Sequence, residues 1–136
     1  CGRFLEIGNS VFMEYQKTEA GFSPLPKQNV DFGGGLERLA AAVRGEADVF
    51  AIDLLSPVVE HIAGVAAHSY ADNPTAYRVI TDHIRGAVFM IGDGVLPSNT
   101  EQGYFVRRLL RRAVRYADVL KLPSGFLAEL ADTIID

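Results

Sequence analysis

Residues 29–45 read "NVDFGGGLERLAAAVRG". Within this stretch the chain changes character. Gln28 to Phe32 reads as a short strand, and Gly33, Gly34 and Gly35 follow it. "LERLAAAV" is built of helix formers, and Gly45 stands where a helix would stop. Strand-like segments lie before this point and helix-like segments after it. That order predicts an α+β fold, with short antiparallel strands at the N-terminus and a mostly helical bundle behind them. The composition shifts near Gly45, so the expected division is residues 1–45 and 46–136.

Upstream, "RFLEIGNSVFMEYQK" (residues 3–17) mixes aromatic and β-branched residues in short alternation. Phe4, Glu6 and Gly8 fall on one side, Leu5 and Ile7 on the other. Two strands broken near Gly8–Ser10 are expected, and "TEAGFSPLPKQ" reads as a connection because of Gly21, Pro24 and Pro26. Downstream, Ile52, Leu55, Val59, Ile62 and Val65 recur at helical spacing, with Pro57 marking a first turn or a break. "ADNPT" predicts a turn and N-cap. The next helix runs through "AYRVITDHIRGAVFMIGDG", with Val79, His83, Ala87 and Met90 on one face and Ile80, Ile84 and Val88 beside them. A last helix begins near Ser124, a candidate cap.

With 136 residues, 49% of them hydrophobic and 22% charged, the chain has an ordinary globular balance. No apolar run approaches the roughly 18 residues a membrane helix needs. The first residues have neither the basic region nor the apolar region of a signal peptide, and the opening on a strand-like segment suggests a piece of something longer. Cys1, the single cysteine, excludes an internal disulfide and fits a reducing cytoplasm. His61, His68 and His83 are scattered, so no metal site and no catalytic nucleophile is expected.

Three segments carry candidate chemistry. The chain is acidic at -4, yet "GYFVRRLLRRAVRY" places Arg107, Arg108, Arg111, Arg112 and Arg115 within nine positions. On a helix, Arg107, Arg111 and Arg115 form one row and Arg108 and Arg112 its neighbour, with Phe105, Leu109, Leu110, Ala113, Val114 and Ala117 as the apolar side. Such a face is either solvated and neutralised by acids from other helices, or a surface for a phosphate backbone. The glycine turn offers open helix N–H groups and the cation of Arg38 to a phosphate, and Asp31 could hold an ammonium. A plain turn would look the same. The loop "DGVLPSNTEQGY" carries Asp93, Ser98 and Asn99, either as turn residues or, for Asn99, as a reader of an RNA minor groove.

"FLEIGNSVFMEY", "PLPKQNVDFGGGLERLAAAVRG" and "YRVITDHIRGAVFMIGDGVLPSNTEQGYFVRRLLRRAVRY" together, in that order, resemble the alanyl-tRNA synthetases over most of the chain. "GGGLER" is similar to the third signature motif of the class II aminoacyl-tRNA synthetases. The stretch from "DHIRG" to "RRAVRY" is similar to the helical region that recognises the tRNA acceptor stem.

The resemblance implies a cytoplasmic ligase that uses ATP with Mg2+ to attach alanine to its tRNA. Arg38 would bind ATP phosphates, Asp31 the amino group of alanine, and Gly33, with Gly35 beside it, would line the substrate and ATP site. Asn99 would help read a G·U wobble pair in the tRNA. Arg107, Arg108, Arg111 and Arg112 would face acceptor-stem phosphates or support that surface, with one row expected to pair with acids inside the protein. The remaining class II motifs would lie upstream, and a metal-binding editing domain and the acid that acts with Asn99 downstream. The chain is therefore expected to be an internal fragment, inactive alone.

Two departures stand out: Gly8 where the family has Trp, and Gln102–Gly103 where it has Arg-Gly. A non-catalytic RNA-binding relative or split subunit, and a helical DNA-binding or interaction module, are the alternatives.

Overall fold

The computed structural model describes residues 4–135, so the readings on Cys1 and on Arg3 lie outside the described residues. Strands β1 (Gly8–Thr18) and β2 (Gly21–Gly34) form an antiparallel pair, followed by helices α1 (Leu36–Val43), α2 (Ser56–Ala63), α3 (Pro74–Gly92), α4 (Glu101–Leu120) and α5 (Phe126–Ile135). This is the expected α+β order. The chain forms two compact units, Cys1–Ile52 and Asp53–Asp136.

The first unit corrects two expectations. The two strands expected on either side of Gly8–Ser10 are one: residues 4–7 lie outside the strand, and β1 starts at Gly8 and is continuous over eleven residues. The "connection" is a strand: only Glu19 and Ala20 turn, with Thr18 opposite Gly21, while the segment with both prolines belongs to β2. Gly21 takes a φ of 119, which its missing Cβ permits, and the Thr18 hydroxyl donates to its carbonyl at 2.9 Å. Two effects let the prolines stay. Each strand of a two-stranded ribbon has an open edge, where a missing N–H costs little. The pairing also slips, from Met13 opposite Asn29 to Tyr15 opposite Pro24, so Leu25 to Gln28 bulge out against Glu14 alone. Gln28 spans the bulge with a 2.9 Å bond to the Glu14 carboxylate.

Helix α1 follows at once. Gly35 is its N-cap residue, and Gly45, with φ 67, ends it by donating to the Ala42 carbonyl at 3.1 Å, as the glycine stop predicts. A short 3-10 turn at Val49–Ala51 is capped by Asp48, whose side chain accepts from the Phe50 N–H at 3.1 Å.

In the second unit α3 is the central helix. Ala76, Tyr77, Ile80, Thr81, His83, Ile84 and Ala87 are buried on it, too wide an arc for the single stripe of a surface helix. Asn73 caps it through Oδ1, and Pro57 sits in the first turn of α2, both as expected. Helix α5 starts only at Phe126, so Gly125 and not Ser124 stands immediately before it. Val58 and Ile62 of α2, Ala113, Ala117 and Leu120 of α4, and Phe126 and Leu130 of α5 complete the core. His61 bridges α2 and α5, meeting Thr133 Oγ1 at 2.6 Å and the Phe126 ring edge-on at 5.1 Å.

Tyr77 is the largest fully buried side chain. Its hydroxyl donates to the His68 carbonyl at 2.7 Å, and Tyr70 packs against its ring at 5.4 Å in a T-shaped pair. Burial, and then the negative charge of Asp72, push the phenol above its ordinary value. The folded state therefore holds this proton more tightly than the unfolded chain. The resulting stability is complete below the free-tyrosine range and is lost as pH rises through the raised folded value. Tyr77→Phe should cost about 1 kcal/mol near neutral pH, measured by urea denaturation. It should also remove part of the alkaline loss of stability, and an unchanged alkaline limb would show that Tyr77 does not drive it.

Candidate functional site

The glycine turn is built by pairing at the open end of the ribbon. Gly8 faces Gly34, Asn9 faces Gly33 and Val11 faces Asp31. Since side chains alternate along a strand, Asp31 and Gly33 share one face with Asn9 and Val11, while Gly8 and Gly34 share the other with Phe32. Asp31 is exposed, and its carboxylate makes no hydrogen bond or ion pair among the described residues. Arg38 lies one turn into α1. Its stem runs over Gly35, with Cδ 3.4 Å from where a Cβ would stand, and its Nη1 donates to the Glu6 carbonyl at 3.1 Å. That leaves most of its donor fork open beside the start of the helix. The turn thus holds an exposed cation, open backbone and a carboxylate within one short segment, which suits a ligand bearing both phosphate and ammonium groups.

The departure at Gly8 has a structural partner. A Cβ there would stand 2.8 Å from Phe32 Cζ and 3.0 Å from the Gly33 carbonyl oxygen. A Cβ on Gly34 would meet the same ring at 3.1 Å. The Phe32 ring therefore lies across two facing glycines, covering backbone that a larger residue at position 8 would cover itself.

The second candidate lies on α4. Its buried stripe is Gly103, Val106, Ala113, Ala117 and Leu120. Phe105 and Val114, expected on the apolar side, are 54% and 51% exposed. Leu109 instead packs at the crossing with α3, where its Cδ1 stands 3.6 Å from a Cβ built on Gly86. All five arginines are exposed, and none forms an ion pair among the described residues. This corrects the expectation that one row pairs with internal acids. Helix α4 carries only two acids, Glu101 and Asp118, both exposed.

The arginines are not equivalent. Arg108 lies over the Phe105 ring at 5.4 Å and Arg112 over Tyr116 at 5.9 Å, which fixes both by cation–π contact. Arg107 Nη1 donates to Asn99 Oδ1. Arg111 and Arg115 make no such contact among the described residues. Tyr104, Arg107, Arg108 and Arg111 line a small open cleft of about 130 Å³.

The loop before α4 holds Asn99 in place. The Ser98 N–H donates to the Gly103 carbonyl at 3.0 Å, its hydroxyl to the Thr100 carbonyl at 2.8 Å, and the Thr100 N–H returns to Ser98 Oγ at 3.3 Å. Glu101 opens the helix with φ 51, an uncommon, strained conformation for a residue with a Cβ. Asn99 itself is exposed at the turn. Asp93 lies apart from it, as the C-cap residue of α3. An exposed row of cations beside a rigidly held amide is the arrangement expected of a surface that grips a polyanion and inspects it.

A family model described as "tRNA synthetases class II (A)" matches residues 1–136. The chain belongs to this family. It is 46% identical over 134 residues to the alanine–tRNA ligase of Desulfitobacterium hafniense, covering 96% of this chain and 15% of that protein. The alanine–tRNA ligase of Fusobacterium nucleatum is 44% identical over 138 residues (98% and 16%), and that of Listeria welshimeri 47% over 136 (97% and 16%). The chain therefore spans about one sixth of the length of these curated relatives. Within the family match lie both candidates, the glycine turn and the arginine helix. Among the described residues no helix is long and apolar enough to cross a membrane.

Proposed function

We propose that this chain is part of an alanine–tRNA ligase, which joins alanine to its tRNA with consumption of ATP, and that its helical unit grips the tRNA acceptor stem. The observation that carries the reading is the exposed arginine face of α4, free of carboxylate partners among the described residues and adjoining Asn99. Arg107, Arg108, Arg111 and Arg112 form or support the phosphate-facing surface, Arg115 extends the Arg107–Arg111 row by one turn of α4, and Asn99 inspects the G·U wobble pair from the minor groove.

At the glycine turn, Asp31 takes the ammonium of alanine and Gly33 leaves room for its small side chain. Arg38, with Gly35 and the start of α1, takes ATP phosphates. The alanine carboxylate attacks the α-phosphate and pyrophosphate leaves, giving the alanyl adenylate; a ribose hydroxyl of the tRNA 3′ end then attacks its carbonyl carbon and AMP leaves. Positioning and charge stabilisation suffice for such a step, and the side chains here supply those rather than a nucleophile. Mg2+ accompanies ATP in this reading. Among the described residues no group of three or more His, Cys, Asp or Glu side chains could hold a metal ion, so no step is assigned to it through this chain. The ribbon exposes apolar residues on both faces, Phe12 and Phe32 at 77% and 70% on one and Val11 at 55% on the other, which suits a sheet covered and extended by the rest of a larger catalytic domain.

A second reading, a non-catalytic RNA-binding relative, draws on Gly8 and the Phe32 ring lying over it. Alanine-dependent ATP–pyrophosphate exchange by the whole protein that contains this chain decides between them. Exchange together with tighter binding of an acceptor-stem hairpin than of duplex DNA is expected. Hairpin binding without exchange favours the non-catalytic relative, and equal binding of DNA sinks both. The chain by itself should give no exchange.

A further inference from the structure

The bond between Arg107 and Asn99 decides which way the Asn99 amide faces. A side-chain amide has an accepting oxygen and a donating NH2, and the two ends have nearly the same shape. A guanidinium has five N–H donors and no acceptor. The end of Asn99 turned towards Arg107 is therefore the oxygen, in agreement with the donation from Arg107 Nη1 to Asn99 Oδ1. The NH2 group is left as the free end of an exposed side chain.

The backbone beneath it is fixed independently by Ser98, Thr100 and Gly103 through bonds of 2.8–3.3 Å. What remains free in Asn99 is the rotation of its side chain, and Arg107 stops that rotation. We propose that Arg107 is a positioning residue, which locks Asn99 as a hydrogen-bond donor so that the site recognises an acceptor atom on the minor-groove edge of an RNA stem. The proposal rests on the reading of α4 and Asn99 as an RNA-contact surface and deepens it.

Minor-groove edges present purine N3 and pyrimidine O2 as acceptors. An amide free to turn over could offer its oxygen as easily as its NH2, and would read donors and acceptors alike. One locked as a donor rejects an edge that places a donor opposite it. Arg107 thus differs in role from Arg111 and Arg115. Those have no hydrogen bond, ion pair or ring contact among the described residues and act through charge. Arg107 commits one of its donors to a neighbouring side chain and acts through it.

The experiment measures binding of two acceptor-stem hairpins, one carrying the G·U pair and one with that pair changed to G·C, to the whole protein that contains this chain. Four forms are compared: unaltered, Arg107→Met, Asn99→Ala and the double variant. Arg111→Gln serves as a charge-only control. Arg107→Met should lower the preference for the G·U hairpin about fivefold or more, the scale of one mispaired contact. The double variant should lose no more preference than Asn99→Ala alone, because Arg107 acts only through that amide. Arg111→Gln should weaken both hairpins alike and leave the preference intact.

If instead Arg107→Met weakens both hairpins equally and lowers the slope of log affinity against log salt by about one, Arg107 is a phosphate contact and the positioning role is overturned. If Asn99→Ala leaves the preference unchanged, the reading of Asn99 as an RNA reader fails, and the positioning role fails with it.

Discussion

Replacing Arg111 and Arg115 together by glutamine is expected to flatten the salt dependence of acceptor-stem binding by about two units of log–log slope, one for each phosphate no longer neutralised. At low salt the affinity should fall about tenfold for each arginine, because a charge-assisted bond is worth roughly 1.5–3 kcal/mol. These two side chains are the sharpest test of the surface. Both are exposed, and neither has a hydrogen bond, ion pair or ring contact among the described residues. They lie four positions apart on one face of α4, where like charges repel by a few tenths of a kcal/mol. Removing them should therefore leave folding stability unchanged or slightly raised while binding falls. Opposite signs in the two measurements separate a contact surface from a solvated face. A solvated face would give the same small gain in stability with no loss of binding and no change of slope, and that result would sink the proposed interface.

The parts of the fold that were legible in the sequence are those fixed by local chemistry. Asn73 before Pro74 announces the start of α3, Gly45 announces the end of α1, and Pro57 marks the first turn of α2. Each acts through its own backbone or its nearest turn, so neighbours in sequence suffice. Of strand β2 only the part from Gln28 to Phe32 was legible; its first half was not, because Pro24 and Pro26 are also what a connection would contain. Whether a proline interrupts a strand depends on which edge is open and where the register slips, and both are properties of the pair.

The same distinction runs through the candidate site. The two arginine rows follow from helical spacing alone. Their freedom from carboxylates among the described residues does not, since it depends on where the acids of the chain end up. The Arg107–Asn99 bond spans eight residues and a turn with a left-handed Glu101, which no local pattern encodes. The Phe32 ring over Gly8 joins positions that only the strand pairing brings together. One signal was available. Gly103 lies near the start of a helix that otherwise avoids glycine, and a glycine there without a turn to make points to close backbone approach.

That glycine gives the second large effect. A Cβ on Gly103 would run into the Leu96 carbonyl oxygen and Ser98 Oγ, with Ser98 Cβ at 2.9 Å. The obstacles are backbone and a hydrogen-bonded hydroxyl, so no flexible side-chain end can swing aside. Gly103→Ala must push the 96–100 segment off α4, at a cost of about 1–3 kcal/mol, offset in part by the gain of up to about 1 kcal/mol for alanine over glycine in a helix. The loss of stability is therefore modest and the functional loss larger. Moving Ser98 breaks the Ser98–Gly103 bond and carries Asn99 away from Arg107. The variant should lose its preference for the G·U hairpin as fully as Asn99→Ala does, while circular dichroism still reports the helices. Gly86→Ala is the matched comparison. There a Cβ meets only Leu109 Cδ1 at 3.6 Å, an ordinary contact, so the same substitution should stabilise by up to about 1 kcal/mol. If Gly103→Ala melted no lower than the unaltered protein and kept its hairpin preference, the loop would not be held against α4, and Asn99 would have no fixed position from which to read a base.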